Sequence, residues 1–126
     1  MKNRMNQMRL WLGIVALALA TAMGAGCDDN EFDRDPPAGQ GSLIVDNFTG
    51  DRILVYLDGT EESGVSAGKH RYYDLEPGVC RVVLDGDDTR RSWSGDVDVL
   101  EGRRTVVEVR SDSGDYREFE VSIYLD

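Results

Sequence analysis

From Ser42 to the C-terminus, apolar residues fall at every second position in short runs, and clusters of Gly, Pro and Asp separate one run from the next. A pleated strand sends successive side chains to opposite faces, so this period predicts strands with one buried face. In order the runs are SLIVDNF at 42–48, RILVYL at 52–57, a short strand at 60–65, HRYYDL at 70–75, VCRVVL at 79–84, RSWSGDVDVL at 91–100, TVVEV at 105–109 and YREFEVSIYL at 116–125. Ile53, Val55 and Leu57 share one face of the second run, and Trp93, Gly95, Val97 and Val99 one face of the sixth. The last run alternates most cleanly. Phe119, Val121, Ile123 and Leu125 are expected in the core, with Glu118, Glu120 and Ser122 in water. Asp58-Gly59 is a strong hairpin signal. Short strands at close spacing predict an all-β fold over 42–126, a small antiparallel β-sandwich of seven or eight strands. Parallel strands need long crossovers, and the loops here are too short for them.

The first 41 residues follow a different pattern. MKNRMNQMR is basic and LWLGIVALALATAMGAG, at 10–26, is apolar or small, which reads as a secretory signal over 1–26. A run of 17 residues also sits at the lower limit of a membrane-spanning helix, so a retained anchor is the competing reading. Gly24-Ala25-Gly26-Cys27 resembles the lipobox of bacterial lipoproteins. That resemblance implies acylation of the Cys27 thiol, cleavage before Cys27 and acylation of the new amino terminus. Two or three acyl chains hold a protein firmly where one is marginal. Gly24 departs from the large aliphatic residue that lipoboxes prefer at that place. Cleavage after Ala22 is the alternative and would give a secreted, unacylated protein. Asp28 resembles an inner-membrane retention signal of some bacteria. DDNEFDRDPPAGQ, at 28–40, carries acids and prolines and very little apolar surface, so 27–41 is expected to be a disordered linker with a reach of about 20 Å.

Charge narrows the partners. The formal net charge is -10, and 1–26 contribute Lys2, Arg4 and Arg9 without an acid, so the processed chain is more acidic still. Nucleic acid is excluded, because its phosphates are bound by clustered basic residues. The two cysteines are Cys27 and Cys80. With lipid on Cys27, Cys80 is a lone thiol expected to pack as a small apolar residue. Without it, the two could form a disulfide in an oxidising compartment. No C-x-x-C or Cys/His cluster exists, so neither zinc nor any other cofactor is expected.

GVSAGKH, at 64–70, fits the G-x-S-x-G pattern of serine hydrolases, and His70 is the single histidine. A nucleophile elbow needs a helix after the serine and the order Ser, acid, His. Here a strand pattern follows Gly68, and no acid lies between Ser66 and His70. Gly64 and Gly68 are read as turn residues, with no catalytic residue in the chain.

The turns bear a closer likeness. The segment 42–84 resembles the PEGA family of small bacterial surface β domains, and an Asn-x-Thr-Gly turn before a tyrosine-containing strand is similar to a common lipoprotein theme. The matching elements are Ile53–Leu57, Asp58-Gly59, Ser66-Ala67-Gly68, Leu75-Glu76-Pro77-Gly78 and VCRVVL; Ala67 and Glu76 depart from the family's usual residues. The resemblance implies a sandwich in an envelope or secreted protein, and no catalytic residue.

Two functions from different classes follow. The first is a non-enzymatic envelope lipoprotein whose β-sandwich interacts with other envelope proteins or the cell wall. The alternative is a carbohydrate-binding module using exposed aromatics, with Tyr56, Tyr72, Tyr73 and Trp93 as candidates and Tyr116 and Tyr124 as additions; Trp93 is read first as the core tryptophan of a sandwich. Three exposed aromatics in a row would favour the second, and an exposed sheet edge or apolar patch the first. The acid-rich turns at 85–88 and 112–115 could hold calcium, but lack EF-hand spacing.

Overall fold

The computed structural model describes residues 32–111 and 116–126. Contacts divide the chain between Asp33 and Arg34, and the unit Arg34–Asp126 is the one described below. The expected signal at 1–26, the expected lipidation site Cys27, the start of the expected linker and the acid-rich segment at 112–115 lie outside the described residues.

Eight strands form: β1 Gly41–Asn47, β2 Ile53–Leu57, β3 Thr60–Val65, β4 His70–Leu75, β5 Gly78–Gly86, β6 Ser92–Val99, β7 Arg104–Arg110 and β8 Glu120–Leu125. They make two four-stranded sheets, one ordered β4-β1-β7-β8 and the other β3-β2-β5-β6. The alternating fold class read from the sequence is the one observed. All pairs but one are antiparallel; β1 and β7 run parallel, Ser42 opposite Arg104 to Asn47 opposite Val109. Short loops forbid parallel pairing between successive strands only. Here the whole second sheet lies between the two partners in sequence.

Inward rows build the core. Leu43, Val45, Val107 and Val109 come from the first sheet, and Ile53, Val55, Leu57, Val65, Cys80, Val82, Leu84, Val97 and Val99 from the second. Trp93 is partly buried and packs against them, its ring lying where a Cβ on Gly95 would stand, 2.7 Å away. Cys80 is a buried free thiol, and burial raises its pKa. Asp58 and Gly59 both adopt positive φ, 49° and 83°, which fits the right-handed twist of the β2–β3 hairpin.

The linker expectation covered 27–41. Within it, β1 already begins at Gly41, and 34–40 carry contacts to the first sheet. Arg34 pairs with Asp74. Asp74 also accepts from Ser42 Oγ at 2.8 Å. Asp35 meets Arg104 at 3.5 Å, and Arg104 meets Asp126 at 3.2 Å.

One buried side chain ties the crossovers. Asn47 is fully buried at the end of β1, and its Nδ2 donates to the carbonyls of Asp51 at 2.8 Å, Val65 at 3.1 Å and Ser66 at 3.2 Å. Its Oδ1 accepts from Thr49 N at 2.9 Å and Thr49 Oγ1 at 2.6 Å. Thr49 Oγ1 also accepts from Asp51 N at 3.2 Å and lies 3.0 Å from the Asp51 carbonyl. The β1–β2 crossover is thereby fastened to the β3–β4 crossover. Asn47→Ala leaves several buried groups without partners and should lower stability by about 3 kcal/mol in urea unfolding. Asn47→Asp should cost more, although isosteric, because a carboxylate cannot donate and would face three carbonyl oxygens. Equal stability of Asn47→Asp and the native chain would show that this amide fastens nothing.

Candidate functional site

The serine motif resolves into a turn. Lys69 N donates to Ser66 O at 3.0 Å across Ala67-Gly68, and Gly68 has φ of 72°, the left-handed conformation that glycine adopts without strain. Ser66 is exposed at the start of this turn, and β4 follows it where a hydrolase would place a helix. His70 opens β4, and its ring meets Tyr72 edge-on at 5.6 Å. The Ser66 carbonyl, accepting from Asn47 and Lys69, is the part of this residue with a structural role.

The four candidate aromatics do not converge. Tyr56 is half-buried on the outer face of the second sheet, opposite Glu61 and Val83. Tyr72 and Tyr73 point to opposite faces of β4, Tyr72 half-buried on the outer face of the first sheet with the Arg34 guanidinium 4.8 Å over its ring. Tyr73 is buried and Trp93 partly buried, both inward. Tyr124 shares the outer row of Tyr72, but Ile44 and Val106 stand between them. These rings therefore form no flat platform. The turn at 85–88 is built on backbone bonds, Asp87 N to Arg52 O at 2.8 Å and Thr89 N to Gly86 O at 3.2 Å. No group of three or more metal-ligating side chains gathers among the described residues.

The two sides of the sandwich differ. On one, β3 and β4 are laced together: Tyr73 Oη donates to the Ser63 carbonyl, and Arg71 Nε to that of Gly64 at 3.0 Å. Burial pushes the Tyr73 phenol up to about 12, keeping it a donor. On the other side, β6 and β8 meet at one end and part at the other. Ser92 N donates to Arg117 O at 3.0 Å and Phe119 N to Ser92 O at 3.2 Å, so residues 117–119 run along the start of β6. Beyond that point the edges diverge around a groove of about 420 Å³ lined by Asp96, Val97, Asp98, Leu100, Thr105, Ile123, Tyr124 and Leu125.

The expectation for β8 is corrected here. Phe119, Val121, Ile123 and Leu125 do share the inward side, but Phe119 is buried, Val121 half-buried, and Ile123 and Leu125 are 45% and 46% exposed. The physical reason is sheet offset. β8 and β6 are edge strands of their sheets that meet only around Ser92 among the described residues, which leaves Ile123 and Leu125 in the far half of β8 exposed. Leu100, 41% exposed in the β6–β7 turn, extends the same patch. Sequence reasoning missed this groove; an apolar residue in the turn Leu100-Glu101-Gly102 was the local signal.

No family model matches the sequence, and no curated protein does. Among solved structures, the chain is similar to the N-terminal domain of AlgF from P. aeruginosa, with 13% identity and a TM-score of 0.53 over 71% of this chain and 96% of that one. It is also similar to the C-terminal domain of the same protein, with 15% identity and a TM-score of 0.54 over 70% of this chain and 99% of that one. At such identities the likeness concerns the fold.

Two outcomes follow. A fluorophosphonate probe should leave Ser66 unlabelled; stoichiometric labelling lost in Ser66→Ala would make the motif a nucleophile. Tyr73 has an ordinary value of 10.0 when unfolded and about 12 when folded, so the fold favours the neutral phenol. That contribution is complete below pH 10 and is lost as pH rises through 12. Tyr73→Phe should flatten this alkaline decline in a stability-against-pH series, and an unchanged slope would contradict the assignment.

Proposed function

We propose that this chain is a non-enzymatic lipoprotein of the bacterial cell envelope, with a PEGA-like sandwich that serves as a protein-interaction module. Acyl chains, palmitate among them, on Cys27 hold it to a membrane after removal of 1–26. Part of the acidic segment that follows spaces the sandwich from the lipid. The observation that carries the reading is the apolar surface left open at one sandwich edge, Leu100, Ile123 and Leu125. Contiguous apolar exposure of this kind marks interaction surfaces. Ser66 of the G-x-S-x-G pattern, by contrast, sits in a turn whose bonds are structural. The recurrence of the fold in both domains of AlgF supports a scaffold reading without naming a partner. The glycan-binding alternative loses support from the dispersal of Tyr56, Tyr72, Tyr73 and Trp93 over two outer faces and the core.

The test uses the full chain in growing bacteria. Metabolic labelling with an alkyne fatty acid should mark the native protein and not Cys27→Ser; equal labelling would remove the anchor. A photo-crosslinking residue at position 125 should give a discrete adduct with an envelope protein, whereas one at position 56 should not. Equal behaviour of both positions would remove the interaction role.

A further inference from the structure

We infer that the groove beside β6 is a vacant strand position, and that it receives an extended segment of another protein with apolar residues alternating with Lys or Arg. This rests on the interaction-module reading above and adds the mode of docking and the chemistry of the partner.

The backbone of β6 sets the geometry. N–H and C=O groups of successive strand residues point alternately to the two neighbours. Ser92 turns its pair toward 117–119 on the free side, and Asp98 O accepts from Thr105 Oγ1 at 3.0 Å on that side. The groups of Ser94 and Asp96 therefore aim into the groove as well. The chain itself shows that this edge takes a strand, since Glu118 already bridges Ser92 in parallel before the backbone departs to join β7. From Ser94 onward no described residue pairs with this edge.

An added strand would extend the second sheet over the uncovered half of β8. Its inward side chains would lie level with Gly95 and Val97 and cover Ile123, Leu125 and Leu100, the apolar half of the requirement. Its outward side chains would stand beside Asp96 and Asp98, both exposed, where opposite charges pair favourably across strands. Arg81 occupies one flank of Asp96 at 3.1 Å, and Asp98 leaves acid on the rest of the row. A second copy of this chain is a poor occupant. It would bring β6 with the same two aspartates, or β8 with Glu120, from a chain of net charge -10. Main-chain hydrogen bonds supply affinity in strand addition, while alternate side chains supply selectivity.

The test is fluorescence anisotropy of the full chain in detergent with a labelled, end-capped peptide of alternating Val and Lys, about eight residues long. A peptide with Glu in place of Lys is the control. The Lys peptide should bind saturably and the Glu peptide should not. Asp96→Pro removes a groove-facing N–H while keeping the bonds to β5, because proline is tolerated on an edge strand. It should abolish binding without loss of cooperative melting. Asp96→Asn, which keeps the N–H, should retain more binding than Asp96→Pro, and Asp98→Lys should weaken it about tenfold or more by like-charge repulsion. Binding of both peptides alike, no binding of the Lys peptide, or binding untouched by Asp96→Pro and by Ile123→Ser would overturn the proposal. A dimer in sedimentation that Asp96→Pro dissolves would assign the edge to a second copy and overturn the choice of partner. If the peptide fails while the position-125 adduct persists in cells, strand addition falls and the interaction module stands; loss of that adduct removes the module itself.

Discussion

The fold depends on one buried amide. Asn47 is where β1 ends and the chain leaves the first sheet, and its side chain both donates and accepts there. Its two roles need an amide. The oxygen gathers the Thr49 backbone and hydroxyl, shaping the first crossover, and the nitrogen holds the carbonyls where β3 ends and the chain returns to the first sheet. A sandwich whose chain changes sheets repeatedly must fix these crossings, because each one sets the offset between the layers. Buried polar groups stabilise a single arrangement when they are fully satisfied.

Layer offset then decides what the surface offers. The β3/β4 side is closed by Tyr73 and Arg71 reaching across to backbone carbonyls. At the β6/β8 side the layers are out of step, joined at Ser92 and separated beyond it. Exposed edges are ordinarily guarded by charge, and Asp96 and Asp98 on β6 serve that end by repelling like edges. The same carboxylates make the edge selective for a basic strand. Protection and recognition are thus carried by the same residues.

What was legible in the sequence was what local chemistry fixes. Asp58-Gly59 announces its hairpin because both residues tolerate positive φ. Tyr72 and Tyr73 fall on opposite faces because the period is two. Strand limits agree closely except in β8, where residues 117–119 run along the start of β6 before the strand begins at Glu120. The exposure of Ile123 and Leu125 was not legible, because alternation reports which side a residue faces and not whether anything lies over it. Nor was the β1–β7 parallel pair, which depends on the path of the entire intervening chain. The contacts of Arg34 and Asp35 were equally hidden, since their partners Asp74 and Arg104 lie far along the sequence. The dispersal of the aromatics followed from which strands entered which sheet, and that assignment is made by tertiary packing.

The central claim is that β6 is paired on one side and open on the other beside uncovered apolar residues. Residue-resolved hydrogen exchange of the full chain reads this directly. Gly95 and Val97 amides, directed to β5, should be strongly protected, and those of Ser94 and Asp96 should exchange rapidly. Equal protection along the strand would mean that the edge is already covered, and the groove would then be no docking site.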